Sequence, residues 1–120
     1  MQGCKIDQAE GYVRARVGPG LAAEVQDCYR ALAARCLHGG CQRVLVLGDA
    51  TIDPFYHLAL RDALRSMALA GMPDDFRLAV VALTPGLIAV YDAAVVEAQR
   101  LGLTARRFMT ESDAEAWLMT

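Results

Sequence analysis

The chain alternates between two hydrophobic patterns, and each pattern predicts one kind of element. Residues 4–17 predict two short strands around a turn at residues 8–11. In the second of these strands Val13, Ala15 and Val17 share one face, which is the period-two pattern of a half-buried strand. Continuous apolar runs at residues 43–48 and 76–83 predict strands buried on both faces. Residues 105–109 predict a last, short strand.

Between the strands, apolar residues recur at three- and four-residue spacing, which predicts amphipathic helices. The first helix ends at the glycine pair of residues 39–40, and its apolar face carries Leu21, Val25, Cys28, Leu32 and Cys36. The second helix opens at Asp53, an N-cap residue, followed by Pro54 in the first turn. Its apolar stripe runs from Tyr56 to Met67, and the helix ends at Gly71.

Two further helices follow. Thr84 and Pro85 repeat the opening of a cap residue followed by a proline, and the helix that they begin ends at Gly102. Ser112 and Glu115 have the spacing of a capping box, which predicts a short C-terminal helix.

The order of these elements predicts the fold class. Strands that alternate with helices through short connections favour a mainly parallel sheet with helices packed on it. The N-terminal strand pair adds an antiparallel edge strand to that sheet. The 120 residues are expected to form one α/β domain, 1–120, with 55% apolar residues to supply its core.

Composition excludes several function classes. A formal net charge of −2 argues against a dedicated nucleic-acid binder. The N-terminus lacks the basic and apolar runs of a secretory signal, and the longest apolar run, residues 78–83, is far below the ~20 residues of a membrane span. We therefore expect a cytoplasmic protein without a transmembrane segment.

The four cysteines suggest no cofactor. Cys28 and Cys36 lie eight residues apart on a predicted helix, a rise of about 12 Å, whereas a disulfide tolerates at most about 7 Å between Cα atoms. We expect reduced thiols that pack as small apolar side chains. Cys36, His38 and Cys41 could supply three metal ligands, but a structural zinc site needs a fourth and their spacing fits no familiar pattern. No metal and no other cofactor is predicted.

The whole order of elements resembles the STAS domains, and in particular their SpoIIAA-like bacterial relatives. The resemblance covers nearly all of the chain and is carried by residues 6–13, 44–53, 77–81 and 108–118. It implies a SpoIIAA-like sandwich. It also implies a regulatory protein-interaction module that is not an enzyme, comparable with the family members that antagonise anti-sigma factors.

The same resemblance raises the question of phosphorylation. In those family members a strand runs into an Ile-Asp-Ser-Ser-Gly motif, and a kinase partner phosphorylates a serine at the helix start. The corresponding stretch here is Ile-Asp-Pro-Phe-Tyr, in which Asp53 matches while Pro54 and Phe55 occupy the serine positions. The chain therefore lacks the usual phosphoacceptor, and Thr51 is the one suitable hydroxyl nearby.

Candidate functional residues gather where the parallel strands end, since open α/β sheets bind at that edge. The predicted binding residues are Asp49, Thr51, Asp53, Phe55, Tyr56, His57 and Thr84. The bulky groups at the second helix start, Phe55, Tyr56 and Leu58, favour a surface for a protein partner. That partner could be a second copy of the chain, paired through an edge strand or an exposed helix. Two alternatives stay open: a carrier with an apolar pocket for a lipid-like ligand near Tyr56, and an enzyme that uses Asp49, Asp53 and His57.

Overall fold

A mixed sheet forms the centre of the fold. The computed structural model describes residues 4–18, 22–39, 42–49 and 55–120. Within those residues the sheet has five strands, β1 (Cys4–Ala9), β2 (Tyr12–Val17), β3 (Arg43–Gly48), β4 (Arg77–Ala82) and β5 (Thr104–Phe108). The four described helices are α1 (Ala22–His38), α2 (Tyr56–Ala70), α3 (Ile88–Arg100) and α4 (Glu111–Leu118), with a 3₁₀ turn at Pro85–Leu87 before α3.

The strands follow one another across the sheet in chain order. β1 pairs with β2 in antiparallel orientation, and β2, β3, β4 and β5 are parallel to their neighbours. Each crossover from β2 to β5 leads to the next strand in the same direction across the sheet. Because such crossovers are right-handed, their helices lie on the same face of the sheet, and α1, α2 and α3 pack together there. The sequence-based prediction of an α/β fold with an antiparallel edge strand is confirmed.

The two faces of the sheet carry separate cores. Alternate residues of the strands point to α1, α2 and α3, and this larger core includes Val13, Val44, Leu32 and Leu64. The opposite face packs against α4 and buries Leu45, Leu47, Val81, Ala114 and Leu118. The continuous apolar runs of β3 and β4 are thus explained, because each strand is covered on both sides.

Helix ends show where local prediction succeeds and where it fails. α1 and α2 end at the predicted glycines, and Gly71 has the left-handed conformation, with φ of 79°, that favours glycine. α4 is capped by Thr110, whose hydroxyl accepts from the Asp113 N–H at 3.1 Å, so the predicted capping box at Ser112 and Glu115 is wrong. Thr110 caps a free backbone N–H at the start of α4 from a position two residues before Ser112.

The start of α2 also differs from the prediction. The helix begins at Tyr56, with Phe55 in the N-cap position and no side-chain cap hydrogen bond. The predicted cap Asp53 lies outside the described residues. Thr84 precedes the 3₁₀ turn as expected, but its side chain makes no cap hydrogen bond.

A disulfide overturns the expectation that the cysteines are reduced. Cys4 in β1 and Cys28 in α1 are joined, with their Cα atoms 5.9 Å apart. Cys36 is buried on α1 and takes no part in this cross-link, and Cys41 lies outside the described residues. The helical spacing that excludes a bond from Cys28 to Cys36 cannot reveal a partner on a distant strand.

Among the described helices there is none whose length and apolar character would let it cross a membrane.

Candidate functional site at the carboxyl edge of the sheet

Two predicted polar residues meet where β3 and β4 end. Asp49 directly follows β3, and the Thr84 hydroxyl donates a hydrogen bond to Asp49 Oδ1 at 2.8 Å. The backbone continues the parallel ladder past the strand ends, since the Asp49 N–H donates to the Val17 carbonyl at 2.8 Å and the Leu83 N–H donates to the Gly48 carbonyl at 2.7 Å. This ladder holds the residues that directly follow β3 and β4 beside each other and brings Asp49 and Thr84 together.

Tyr56 points into the core beneath this edge. Its side chain is 3% exposed, and its hydroxyl lies 3.0 Å from the Tyr91 hydroxyl, in a hydrogen bond that either oxygen can donate. Burial raises the pKa of Tyr56, although the bond to Tyr91 acts in the opposite direction. Burial also raises the pKa of Tyr91 well above its usual value. Both phenols therefore stay neutral at physiological pH and act as hydrogen-bonding core residues.

The Tyr91 hydroxyl occupies the space above Gly48, the last residue of β3. A Cβ atom at Gly48 would lie 1.7 Å from that oxygen and 2.5 Å from the ring carbon that bears it. Glycine is thus required here by a close approach of a side chain to the strand. The sequence signal was present, because a glycine ends a run of branched apolar residues, but the pattern could not show that Tyr91 fills the space.

A third tyrosine completes this buried group. Tyr29 on α1 is 1% exposed, and its hydroxyl has no hydrogen-bond partner within the described part of the chain. Burial raises the pKa of Tyr29 well above its usual value, and the nearby Tyr56 adds to the effect. Three buried phenols therefore lie beneath the carboxyl edge. Tyr56 and Tyr91 bond each other, and Tyr29 has no hydrogen-bond partner among the described residues.

Large apolar side chains surround the polar pair at this edge. We call them the apolar rim, and they are Phe55, Leu58, Leu83 and Met109, with exposures of 62%, 43%, 45% and 70%. Leu83 directly follows β4 and Met109 directly follows β5, while Phe55 and Leu58 belong to the start of α2. Because parallel strands all end at one edge, the topology collects these side chains on the same side of the molecule. Sequence analysis identified Phe55 and Leu58 but missed Leu83 and Met109.

The structure describes one of the three remaining predicted residues. His57 is exposed on α2, and Thr51 and Asp53 lie outside the described residues. Of the proposed carboxylate and imidazole groups, the described chain places Asp49 in a hydrogen bond with Thr84. Within the described ranges no group of three or more His, Cys, Asp or Glu side chains is placed to hold a metal ion.

A groove lies between α1 and α2, away from Tyr56. Its cavity volume is about 360 Å³. Small and apolar side chains line it, among them Ala33, Ala63 and Met67, and Arg30 and Asp62 border it. The volume falls within the range of small-molecule sites, which is roughly 300 to 1,000 Å³.

Comparisons of the chain with protein-family models, with curated proteins and with solved structures gave no match.

Proposed function

We propose that the chain is a non-enzymatic protein-interaction module of the STAS-like class, which binds its partner through the apolar rim. The observation that carries the proposal is the exposure of Phe55 and Met109, at 62% and 70%, on one edge of the sheet. Single exposed apolar residues are ordinary on protein surfaces. Four large ones collected at one edge are typical of a contact site.

The polar groups at the rim support binding over catalysis. Thr84 donates to Asp49, and the Tyr56 and Tyr91 hydroxyls bond each other below the surface. These groups are engaged in holding the loops and the core. A partner that covers the rim would bury apolar area, and complete burial of a Phe or Met side chain contributes about 1.5 to 3 kcal/mol.

The STAS-like part of the proposal rests on the order of elements. An antiparallel strand pair, then three crossovers in one direction, then a terminal helix is the order on which the resemblance is based. The rim lies where that family carries its phosphorylated serine. Phe55 in a serine position replaces a hydroxyl with an aromatic ring, so regulation by phosphate is replaced by constitutive apolar contact.

The partner that we test first is a second copy of the chain. Sedimentation velocity of the purified protein over a concentration series should give a dimer. Phe55→Ala should weaken association at least tenfold, which corresponds to about 1.4 kcal/mol. The matched control is Val96→Ala, since Val96 is 64% exposed on α3 but lies outside the rim; this variant should associate as the wild type does.

Two results would contradict the rim hypothesis. One is a dimer whose affinity is the same for wild type, Phe55→Ala and Met109→Ala. The other is a wild-type chain that stays monomeric at millimolar concentration and whose crosslinked complexes in its source cells are all retained by the Phe55→Ala variant. In both cases the stability of each variant is checked by urea unfolding, because the rim side chains are exposed and their removal should leave the unfolding midpoint unchanged.

A carrier of small apolar ligands is the second candidate function, and the groove between α1 and α2 favours it. Met67 and the alanine side chains would contact an apolar chain, while Arg30 at the border could bind an acidic head group. Native mass spectrometry of protein purified without added ligand separates the two functions. A retained small molecule that is lost in Ala63→Phe, which fills the groove, would favour the carrier.

A further inference from the structure

The disulfide joins the edge strand β1 to α1, the longest of the described helices. Cys4 is the first residue of β1, and Cys28 lies in the middle of α1, 24 residues later. Their Cα separation of 5.9 Å falls in the usual disulfide range of about 4.4 to 6.8 Å. The cross-link therefore closes a loop that contains the first hairpin, and it adds a second covalent connection, besides the backbone, between β1 and the main core.

Apart from this bond, β1 is the most weakly held strand. None of its six residues, all of which the structure describes, is fully buried, whereas the adjacent strand β2 buries Tyr12, Val13, Ala15 and Val17. β1 also lies at the sheet edge, so it has a hydrogen-bonded neighbour on one side alone. Segments with few buried apolar contacts open locally at low free-energy cost.

We propose that Cys4 and Cys28 form a reversible thiol–disulfide switch that controls the order of β1, and that Cys4 is the sulfur at which a dithiol reductant attacks. This inference does not depend on the proposed function. Exchange at a disulfide depends on access to the sulfur that is attacked, and Cys4, on the edge strand, is only partly buried. The core that β2 to β5 form with the helices contains Cys28 but no fully buried residue of β1, so reduction should release one strand and leave the rest folded.

The exposure of the two sulfurs sets the direction of attack. Cys4 is half-buried and Cys28 is 1% exposed. A thiolate of the reductant bonds to Cys4 Sγ, the S–S bond breaks, and Cys28 leaves as a thiolate that takes up a proton. The second thiolate of the reductant then attacks the reductant sulfur that is bonded to Cys4 Sγ in the mixed disulfide. This step releases Cys4 as a thiolate and leaves the reductant as a disulfide. Exchange with an oxidised dithiol restores the bond by the reverse steps.

Cys36 does not compete with this exchange in the folded state. It lies eight residues from Cys28 on the same helix, a rise of about 12 Å. That distance exceeds the Cα separation of about 7 Å that a disulfide permits. Along α1 the switch therefore has two states, Cys4 bonded to Cys28 and both reduced.

Hydrogen–deuterium exchange with mass spectrometry tests the proposal on the full chain, with and without the dithiol reductant dithiothreitol. We expect peptides that cover β1 to exchange at least tenfold faster after reduction, while peptides from β3 and β4 keep their rates. Removal of dithiothreitol and addition of oxidised glutathione, a stronger oxidant, should re-form the bond and restore slow exchange. The matched control is the Cys4→Ala/Cys28→Ala variant, in which β1 should exchange fast under both conditions and respond to neither reagent.

Attack at Cys4 is tested separately by trapping. In Cys28→Ser the remaining Cys4 thiol should form a mixed disulfide with a monothiol disulfide such as oxidised glutathione, whereas in Cys4→Ser the buried Cys28 should react at least tenfold more slowly in the folded protein. Three results would overturn the switch. They are equal exchange of β1 in the two redox states, faster exchange of the whole chain on reduction, which marks a structural cross-link, and failure of oxidised glutathione to re-form the bond.

Discussion

Removal of single hydroxyls from the three tyrosines beneath the carboxyl edge, Tyr29, Tyr56 and Tyr91, should have opposite effects on stability. Tyr56→Phe or Tyr91→Phe deletes one partner of the 3.0 Å hydrogen bond and leaves the other hydroxyl buried without it. A buried polar group that loses its partner costs about 1 to 3 kcal/mol. Tyr29→Phe deletes a hydroxyl that has no partner among the described residues, so the free energy of unfolding should stay the same or rise by up to about 1 kcal/mol.

These energies correspond to measurable shifts of the melting temperature. At an unfolding entropy of about 2.1 cal/mol/K per residue, 1 kcal/mol changes the Tm of a chain of 120 residues by about 4 °C. We expect Tm to fall by about 4 to 12 °C for each of the two paired tyrosines. In the double variant Tyr56→Phe/Tyr91→Phe no hydroxyl is orphaned, so its destabilisation should be at least about 1 kcal/mol smaller than the sum of the single effects.

The assay is thermal and urea unfolding of the four variants, followed by circular dichroism. Each single substitution removes one oxygen atom from the same residue type, so differences among the three report on hydrogen bonding and not on volume. The reasoning is refuted if Tyr29→Phe destabilises the protein as much as Tyr91→Phe does. It is also refuted if the double variant shows simple additivity within about 0.3 kcal/mol.

Three further changes have defined outcomes. Gly48→Ala should lower the free energy of unfolding by about 1 to 3 kcal/mol, because its Cβ would overlap Tyr91, whereas Gly18→Ala has no atom within 4 Å of the added carbon and serves as the control in urea titrations; equal midpoints would disprove the overlap. Arg77→Met removes the guanidinium that donates to the Trp117 carbonyl at 2.7 Å and lies over the Trp117 ring. The fluorescence emission of this one tryptophan should therefore shift, and the free energy of unfolding should fall by about 1 to 2 kcal/mol. An unchanged emission spectrum would mean that the contact is not maintained in solution. Burial raises the pKa of each of the three tyrosines Tyr29, Tyr56 and Tyr91 above the usual value. The unfolded chain therefore loses these protons near pH 10 before the folded chain does, so their contribution to the free energy of unfolding should be constant below that pH and fall above it. A flat profile of the free energy of unfolding from pH 9 to 11, with phenolate absorbance at 295 nm rising before unfolding, would contradict this.

Local patterns were sufficient for most of the elements and for a mainly parallel sheet with an antiparallel edge strand. The stripe of α2 from Tyr56 to Met67 is buried as predicted, because helical periodicity depends on neighbours within a few residues. Capping is also local, yet Thr110 was missed in favour of Ser112, since both residues can cap and the choice depends on how α4 meets the sheet. Such competition between adjacent hydroxyls is decided by tertiary packing.

The candidate site was predicted in part for a related reason. The polar residues Asp49 and Thr84 could be placed together, because parallel strands end at one edge. The pairing of Tyr56 with Tyr91, 35 residues away, and the bond between Cys4 and Cys28 depend on distances between different elements. Periodicity within one element contains no information on such distances, so neither contact could be derived from the sequence.

The unequal covering of the sheet has a consequence for how the chain folds during synthesis. Each strand from β2 to β5 pairs with the strand made just before it, so these crossover units can add one after another as the polypeptide emerges. α4 comes last in chain order among the described elements, and it alone among the described helices covers Leu45, Leu47 and Val81 on the second face. Until its last residues leave the ribosome that face exposes its apolar strands, and we expect the nascent chain to be most prone to aggregation at this stage. Docking of α4 is therefore the step that buries the second core.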